Sequence, residues 1–287
     1  SPLSLQALYC AVVTSKRSMQ NARSSTLCAG RSRSAHSAFS SEPMKNLPPG
    51  IVVMPAGHDG GGGIAETIGV LAVTDGPGFA MPDERLPVSV IVPVHAASTT
   101  FDRCVASICD ASPGPAEVIV VCDGDAECWA KLAEAKGLLV VRQEGPRGAS
   151  AARNAGVRAA TQPLLLFVDS DVAVPEDAIL RVWSLLTSDP DVAGLFGSYD
   201  AEPSAPSLVS QYRNLLHHFV HQRSAAEAFT FWSGFGALRL EVFRALGGFD
   251  EGVRGIEDIE LGYRLRRAGY RIRLERRLQV KHLKRWT

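Results

Sequence analysis

Three things are missing from this 287-residue sequence, and each absence excludes a class of protein. The 30 Lys and Arg residues balance 30 Asp and Glu residues, so the basic excess typical of phosphate-backbone binding is absent and no nucleic-acid partner is expected. No run of about 18 apolar residues occurs, which argues against a membrane-spanning helix. The six cysteines form no Cys-x-x-Cys pair, so we expect no zinc site and predict reduced thiols in a cytoplasmic protein.

Residues 1–85 differ in composition from the rest of the chain. Residues 1–41 contain no Asp or Glu and are rich in Ser and Arg, which predicts a disordered or transit-like segment over residues 1–46. The alternative is upstream sequence outside the natural protein, with Met44 or Met81 as its first residue. Residues 47–85 are rich in Gly and Pro, but no strand and helix frame them as a phosphate-binding loop requires. We therefore predict a linker or irregular extension.

An alternation of strands and helices begins near residue 86. Four short apolar runs rich in β-branched residues predict strands buried on both faces, at residues 88–94, 117–122, 138–141 and 164–168. Helical patterns follow these runs, with Thr100 and Asp125 as candidate caps and Pro175 in a first turn, at residues 100–110, 125–136, 149–160 and 175–187. This order predicts an α/β fold over residues 86–287, with a doubly wound, mainly parallel sheet and flanking helices.

The second half of the chain has a less regular pattern. Residues 208–223 and 257–268 predict helices, and Gly269 ends the second of them. A strand or hairpin is predicted at residues 229–238, interrupted by Gly234 and Gly236, and two short strands at residues 271–274 and 278–280.

Acidic residues follow two of the predicted strands directly. Asp123 ends the second strand, and Asp169 and Asp171 flank Ser170 just after the fourth. In a doubly wound sheet ligands bind outside the carboxyl ends of the strands, so these acids are expected near one another. Carboxylate oxygens suit Mg²⁺ or Mn²⁺, although an Asp-x-Asp triplet alone is more often a cap or turn.

Two helix starts also carry candidate chemistry. Small residues open the helix near residue 149, where Arg147 and Arg153 could reach a diphosphate; the alternative is a helix packed tightly on the sheet. Asp258 lies in the first turn of a later helix, where it is either a dipole-stabilised acid or a general base.

In order along residues 87–286, these pieces resemble the family 2 glycosyltransferases, which have the GT-A fold. The similar segments are the opening strand at residues 90–94, the base-contacting Asp123, the Arg-Asn segment at residues 147–156, Asp169-Ser170-Asp171, the Gly-Gly-Phe-Asp-Glu segment at residues 247–251, Glu257-Asp258, and the late strand that ends in His282. Each motif is weak alone, but several in register are a strong signal.

The resemblance implies inverting transfer of a sugar from a nucleotide-diphosphate donor to an acceptor hydroxyl on a glycan, lipid or peptide. It implies Asp258 as general base and a Mn²⁺ or Mg²⁺ ion held by Asp171 and His282, with Asp169 at the metal or the ribose. It implies nucleotide-sugar contacts from Pro93, Val94, Asp123, Arg147, Arg153, Asn154, Asp169 and Ser170. It implies acceptor contacts from Trp232, Gly234 and Glu257, although packing is the favoured role for Trp232.

Departures and competing interpretations remain. His95 and Ala96 follow the opening strand where the family often has Asn or Asp, which leaves the nucleotide open. Many relatives continue into membrane-associated helices after a segment like residues 282–286, so peripheral attachment to the inner face of a membrane through a missing C-terminal segment stays open. Other interpretations are an inactive nucleotide-sugar-binding module and a haloacid-dehalogenase-type phosphatase using Asp169. Against the phosphatase, Ala173 departs from that family's pattern.

Overall fold

The computed structural model describes residues 85–95 and 98–286. The predicted N-terminal segment, the linker up to residue 84 and Ala96 lie outside the described residues. Among the residues that are described, no helix is both long and apolar enough to cross a membrane, and the four cysteines are free thiols.

The described chain contains nine strands and seven helices. The strands are β1 (Leu86–His95), β2 (Pro115–Asp123), β3 (Leu139–Arg142), β4 (Leu164–Val168), β5 (Val172–Ala173), β6 (Val192–Tyr199), β7 (Glu227–Ala228), β8 (Phe235–Arg239) and β9 (Arg271–His282). The helices are α1 (Phe101–Cys109), α2 (Glu127–Ala135), α3 (Ala149–Ala159), α4 (Ala178–Ser188), α5 (Leu208–Arg223), α6 (Leu240–Ala245) and α7 (Glu257–Arg267).

The strands lie in the order β3-β2-β1-β4-β8-β6-β9-β5, and β7 pairs with β9. β3, β2, β1 and β4 are parallel neighbours, and β6 and β9 form a second parallel pair. β8 lies antiparallel between β4 and β6, so the long strands other than β8 all run in one direction. The prediction of an α/β fold with a mainly parallel sheet is therefore confirmed.

Helices cover both faces of the sheet because the central strands are apolar on both sides. Along β1, Val90 and Val92 face the core formed with α1, α2 and α4, whereas Ile91 faces the core formed with α3, α6 and α7. All three side chains are fully buried. Each such side chain contributes about 1.5–3 kcal/mol of burial free energy, so the unbroken apolar run is what selects a central strand.

Strand β6 was not expected from the sequence, and its two glycines explain why. Gly194 and Gly197 weaken the strand pattern, but both are required by close packing. A Cβ at Gly194 would lie 2.3 Å from Leu238 Cδ2, and one at Gly197 would lie 2.2 Å from the Leu278 carbonyl oxygen. Glycine is needed at both positions because of contacts with distant residues, and strand propensity calculated from neighbouring residues cannot predict such contacts.

Several local predictions are wrong. Helix α1 has no side-chain cap from Thr100, and the Thr100 hydroxyl donates to the Ser170 carbonyl oxygen at 3.0 Å. Helix α2 begins after Ala126, one residue beyond Asp125, and likewise has no side-chain cap. Pro175 precedes the first residue of α4 rather than lying in its first turn. Of the strand or hairpin expected at residues 229–238, only the end forms a strand, β8. The two short strands expected at residues 271–274 and 278–280 are parts of one strand, β9, whose register against β6 is irregular.

Candidate active site

The predicted polar residues meet at one edge of the sheet. β1, β2 and β4 end there, and so do β6 and β9, since those five strands run in the same direction. Asp123 ends β2 and is the register partner of His95. Pro93 and Val94 are the two residues of β1 before His95, and both pair with β2. The segment from Asp169 to Asp171 leaves β4 at the same edge.

Asp123 holds the loop that leads into α3. Its Oδ1 accepts the Arg147 backbone N–H at 2.7 Å and its Oδ2 accepts the Gly148 N–H at 2.9 Å. Gly148 has a φ of 95°, a conformation that an L side chain rarely adopts. These two bonds tie the end of β2 to the start of α3 and leave Asp123 almost fully buried. Its contact with a nucleotide base stays a prediction.

Arg153 forms an internal bridge between two acids. Its side chain is only 5% exposed, and its two terminal nitrogens lie 2.7 Å from Asp169 Oδ1 and 3.0 Å from Glu257 Oε1. Burial raises the pKa of Asp169 although Arg153 opposes that shift. Burial would lower the pKa of Arg153, but Asp169 and Glu257 outweigh it and raise that pKa. The guanidinium therefore stays charged and fixes the two carboxylates relative to each other.

Asn154 and Arg147 attach α3 to the segment at residues 247–251. The Asn154 amide donates to the Phe249 carbonyl oxygen at 2.9 Å, and its Oδ1 accepts the Phe249 N–H at 3.0 Å. Glu251 completes the attachment, accepting from Asn154 at 3.2 Å and from Arg147 at 2.9 Å. The two residues, both predicted to bind the nucleotide sugar, thus hold the segment at residues 247–251 against α3.

Asp171 and His282 are brought together by strand pairing. Val172 in β5 is the register partner of His282 in β9, so the imidazole Nε2 lies 3.8 Å from Asp171 Oδ2. Lys284 Nζ lies 3.7 Å from the same oxygen. Burial would raise the pKa of Asp171, but His282 and Lys284 outweigh it and lower that pKa. Asp171 is therefore an anion at neutral pH.

The donor set of Asp171 and His282 fits a divalent ion of the Mn²⁺ or Mg²⁺ type. Within the described residues no group of three or more His, Cys, Asp or Glu side chains forms a closed metal cage. Such ions in phosphate-binding sites commonly take one or two protein ligands and complete their shell with water and substrate phosphate oxygens. An ionised carboxylate beside an imidazole is compatible with that arrangement. In the structure the nearby Lys284 ammonium partly balances the charge of the Asp171 carboxylate.

Asp258 lies at the start of α7, next to Glu257 of the Arg153 bridge. Its Oδ1 accepts its neighbour Ile259's N–H at 2.8 Å, and the Ser233 N–H approaches its Oδ2 at 3.4 Å. No cation in the described part of the chain makes an ion pair with it. Burial raises its pKa to about 6. An enclosed carboxylate that is mostly ionised at neutral pH but accepts a proton readily is a competent general base.

An aromatic wall stands beside these acids. Trp232 lies edge-on to Tyr199, with ring centroids 4.9 Å apart, and 4.7 Å from the His217 ring. Tyr199 also stacks on His282 at 4.2 Å. Gly234 leaves room for the indole, since a Cβ there would lie 2.6 Å from Trp232 Cε2. The wall thus connects the predicted acceptor residues to the predicted metal ligand.

Tyr199 and Cys104 were not anticipated as site residues. Tyr199 ends β6 at the same edge as the acids, and burial raises the pKa of its phenol well above the ordinary value. The thiol of Cys104 donates to the Asp169 carbonyl oxygen at 3.4 Å. The signal that could have revealed Tyr199 is its position at a strand end before Asp200, but recognising it required recognising β6.

The sequence matches the model of the family described as "Glycosyl transferase family 2" over residues 89–247, which is more than half of the chain. Among curated relatives, a pre-mycofactocin glycosyltransferase from Mycobacterium tuberculosis is 29% identical over 215 residues, covering 68% of this chain and 42% of the relative. The chain therefore spans less than half the length of that relative.

Solved structures of glycosyltransferases share the fold. A mannosyltransferase from Pyrobaculum calidifontis, in complex with GDP-Man and Mn²⁺, has a TM-score of 0.54 and 23% identity, covering 70% of this chain and 57% of its own. GalNAc-T7 with UDP, GalNAc and Mn²⁺ has a TM-score of 0.53 and 19% identity, covering 70% of this chain and 44% of its own. The family model, the GT-A architecture and the motif order agree: the chain belongs to glycosyl transferase family 2.

Proposed function

We propose that residues 86–286 form the catalytic domain of an inverting glycosyltransferase that moves a sugar from a nucleotide-diphosphate donor to an acceptor hydroxyl on a glycan, lipid or peptide. The observation that carries the proposal is the Arg153 bridge between Asp169 and Glu257. It links the strand end predicted to hold the donor with the helix start that carries Asp258. A buried cation with that geometry fits a site in which donor and acceptor meet.

Asp171 and His282 are the residues that would hold Mn²⁺ or Mg²⁺, and a divalent ion bound there neutralises charge on the departing diphosphate. The donor would lie over the ends of β1, β2 and β4, with Pro93, Val94 and Ser170 beside it. Asp123 would keep the loop at residues 147–148 in place beneath the nucleotide. Glycosyltransferases of similar fold have Mn²⁺ bound, which supports the use of a divalent ion.

Asp258 would act on the acceptor. As the acceptor oxygen forms its bond to the anomeric carbon, the bond from that carbon to the diphosphate oxygen breaks. The electron pair leaves with the nucleoside diphosphate, and the hydroxyl proton passes to the Asp258 carboxylate. A pKa of about 6 makes Asp258 mostly ionised at neutral pH. A single displacement of this kind inverts the anomeric centre.

Trp232, Gly234 and Glu257 would shape the acceptor side. The indole of Trp232 packs against the rings of Tyr199 and His217 and is partly exposed. The next residue in the chain, Ser233, directs its N–H toward Asp258. An aromatic face of this kind packs well against the apolar C–H face of a sugar. Glu257 is bonded to Arg153, so its role is to position that side of the site.

The experiment that tests the proposal is a thermal-shift screen of UDP-, GDP- and dTDP-sugars with and without Mn²⁺. A ligand at a hundredfold excess over its Kd stabilises the folded state by roughly 2.7 kcal/mol. The proposal predicts a shift for one nucleotide that requires the metal, followed by release of the matching nucleoside diphosphate when acceptor is supplied. A metal-dependent shift without release for any acceptor class would instead indicate an inactive binding module.

A further inference from the structure

Helix α5 (Leu208–Arg223) carries a row of large apolar side chains on its solvent side. Leu208, Tyr212, Leu215 and Phe219 are 84%, 62%, 41% and 54% exposed. Their spacing of four, three and four residues places them on one face of the helix. Val209, also exposed, widens the row at its first turn. We call these five residues the α5 stripe.

The opposite face of α5 is polar and faces the protein. Asn214 is buried and donates to the Asp200 carbonyl oxygen at 2.9 Å. His221 is buried against Trp232, with ring centroids 5.4 Å apart. An ordinary surface helix turns its apolar face inward, so α5 is reversed. Contiguous apolar side chains exposed on a protein surface mark an interaction site more often than chance.

Cations stand at both ends of the α5 stripe. The Arg213 guanidinium lies 4.1 Å from the centre of the Trp286 ring, and Lys284 Nζ lies 4.4 Å from the same centre. The Trp286 backbone N–H donates to Ser210 Oγ at 2.8 Å, which fixes this group against the first turn of α5. At the other end, Arg223 lies 5.2 Å from the centre of the Phe219 ring.

The charged side chains of helix α5 have one sign. Residues 208–223 contain no Asp or Glu, so the arginines of α5 have no acidic partner within the helix. A flat apolar strip with Trp, Arg and Lys at its ends has the composition of helices that lie in the headgroup region of a membrane. Anionic headgroups would supply the negative charge that the helix lacks.

A second copy of the chain fits this surface less well. In a twofold dimer the same patch meets itself, so the stripe would bring arginines toward arginines with no acid on α5 between them. Five side chains offer on the order of 500 Å² of apolar surface, whereas a stable interface buries roughly 800 Å² on each partner. Both considerations favour a lipid surface over self-association.

We propose that the α5 stripe, with Trp286, Arg213 and Arg223, docks the protein on an anionic lipid surface. The apolar side chains enter the boundary between headgroups and acyl chains, and the cations meet lipid phosphates and carboxylates. Binding of this kind needs no spanning segment. Lipid binding also does not depend on sugar transfer, so the two proposals can be tested independently.

The test is flotation of the full 287-residue chain with vesicles at physiological salt. Two vesicle types are compared, phosphatidylcholine alone and phosphatidylcholine with about 30 mol% phosphatidylserine. The wild type is expected to float with the anionic vesicles and to remain largely unbound with the neutral ones. Tyr212→Ser combined with Phe219→Ser should reduce the bound fraction at least roughly tenfold. Each of Arg213→Gln and Arg223→Gln should reduce it about fivefold.

Tyr263→Ser is the matched control, because Tyr263 is 58% exposed on α7, outside the stripe. It should bind as the wild type does, and circular dichroism should show every variant folded. Failure of the folded wild type to float with anionic vesicles would overturn the proposal, and so would unchanged flotation of the Tyr212/Phe219 variant. A stripe variant that turns a dimer into a monomer without changing flotation would assign the surface to a second copy instead.

Discussion

The Arg153 guanidinium lies 2.7 Å from the Asp169 carboxylate, inside the protein rather than in an open phosphate pocket. Its second nitrogen reaches Glu257 at 3.0 Å, so one side chain sets the spacing between the end of β4 and the start of α7. These are the two places from which donor-side and acceptor-side chemistry would act. Arg153 is therefore first a positioning residue, and any phosphate contact would be additional.

Replacing Arg153 should destabilise the fold strongly. Arg153→Met leaves the Glu257 carboxylate, 13% exposed, and the Asp169 carboxylate, 33% exposed, without their cation. Breaking a fully buried pair costs about 3–5 kcal/mol, so we expect a loss of about 2–4 kcal/mol here. Arg147→Met is the matched control, since that arginine pairs with Glu251 while 53% exposed and should cost less than about 1 kcal/mol. Urea denaturation measures both free energies of unfolding. Equal losses of unfolding free energy in the two variants would show that the Arg153 bridge stabilises the fold no more than an exposed ion pair does.

Removing the Asp258 carboxylate should stabilise the metal-free protein at neutral pH. Its folded pKa of about 6 lies above its ordinary value of 3.8, so the folded state binds more protons than the unfolded chain between those values. The ionised group therefore lowers stability above pH 6, and this loss disappears as the pH falls toward 4. Asp258→Asn should raise the free energy of unfolding at pH 7 by up to about 3 kcal/mol, since a difference of one pKa unit corresponds to about 1.4 kcal/mol.

The same comparison at pH 3 is the control. There Asp258 is largely protonated in both states, because pH 3 lies below both pKa values, so wild type and Asp258→Asn should unfold at nearly equal urea concentrations. An Asp258→Asn protein that is less stable than the wild type at pH 7 would mean that the carboxylate makes a stabilising contact as an anion, against the raised pKa.

His282 should be required for metal-assisted donor binding. His282→Ala removes one of the two proposed metal ligands, leaving Asp171 alone. We expect the Mn²⁺-dependent binding of the nucleoside diphosphate, measured by calorimetry, to weaken roughly 10–100-fold. His218→Ala is the matched control, because the Nδ1 of His218 lies 2.7 Å from the Tyr199 carbonyl oxygen and the described residues form no ion pair with it. Unchanged metal-dependent binding in His282→Ala would remove this residue from the metal site.

Gly234 should control the acceptor side through Trp232. A methyl group at Gly234 would lie 2.6 Å from Trp232 Cε2, so Gly234→Ala must displace the indole. We expect the acceptor KM to rise about tenfold while donor affinity stays within twofold, a loss of roughly 1.4 kcal/mol in acceptor binding. Gly252→Ala is the control, since its Cβ would meet only Asp250 Oδ1, at 3.2 Å. A rise in donor Kd instead would place Trp232 on the donor side.

The sequence predicted the half of the fold that is dominated by local signals. The runs that became β1, β2 and β4 are apolar on both faces, and acids follow β2 and β4 directly, so the sheet and the meeting of these acids at one edge were predictable. β6 was not, because Gly194 and Gly197 obscure its pattern and are explained only by Leu238 and Leu278 across the sheet. Tyr199 was missed with that strand.

Partnership within the site was also beyond the sequence. Arg153 was expected to face phosphate, but only the structure shows that Glu257, 104 residues away, shares it with Asp169. Thr100 likewise makes no cap hydrogen bond to α1, and its hydroxyl donates to the Ser170 carbonyl oxygen, 70 residues away. Long-range partners such as these decide what a polar side chain does.

The most direct test of the proposed transfer is the rate of sugar transfer by Asp258→Asn, measured beside its affinity for the nucleoside diphosphate with Mn²⁺. Loss of a general base predicts a fall in kcat of roughly 10²–10⁴-fold. The Kd should stay unchanged, because in the proposed mechanism Asp258 acts on the acceptor and does not hold the donor. Transfer within tenfold of the wild-type rate, or loss of nucleotide binding in the folded variant, would contradict the assignment of Asp258 as the base.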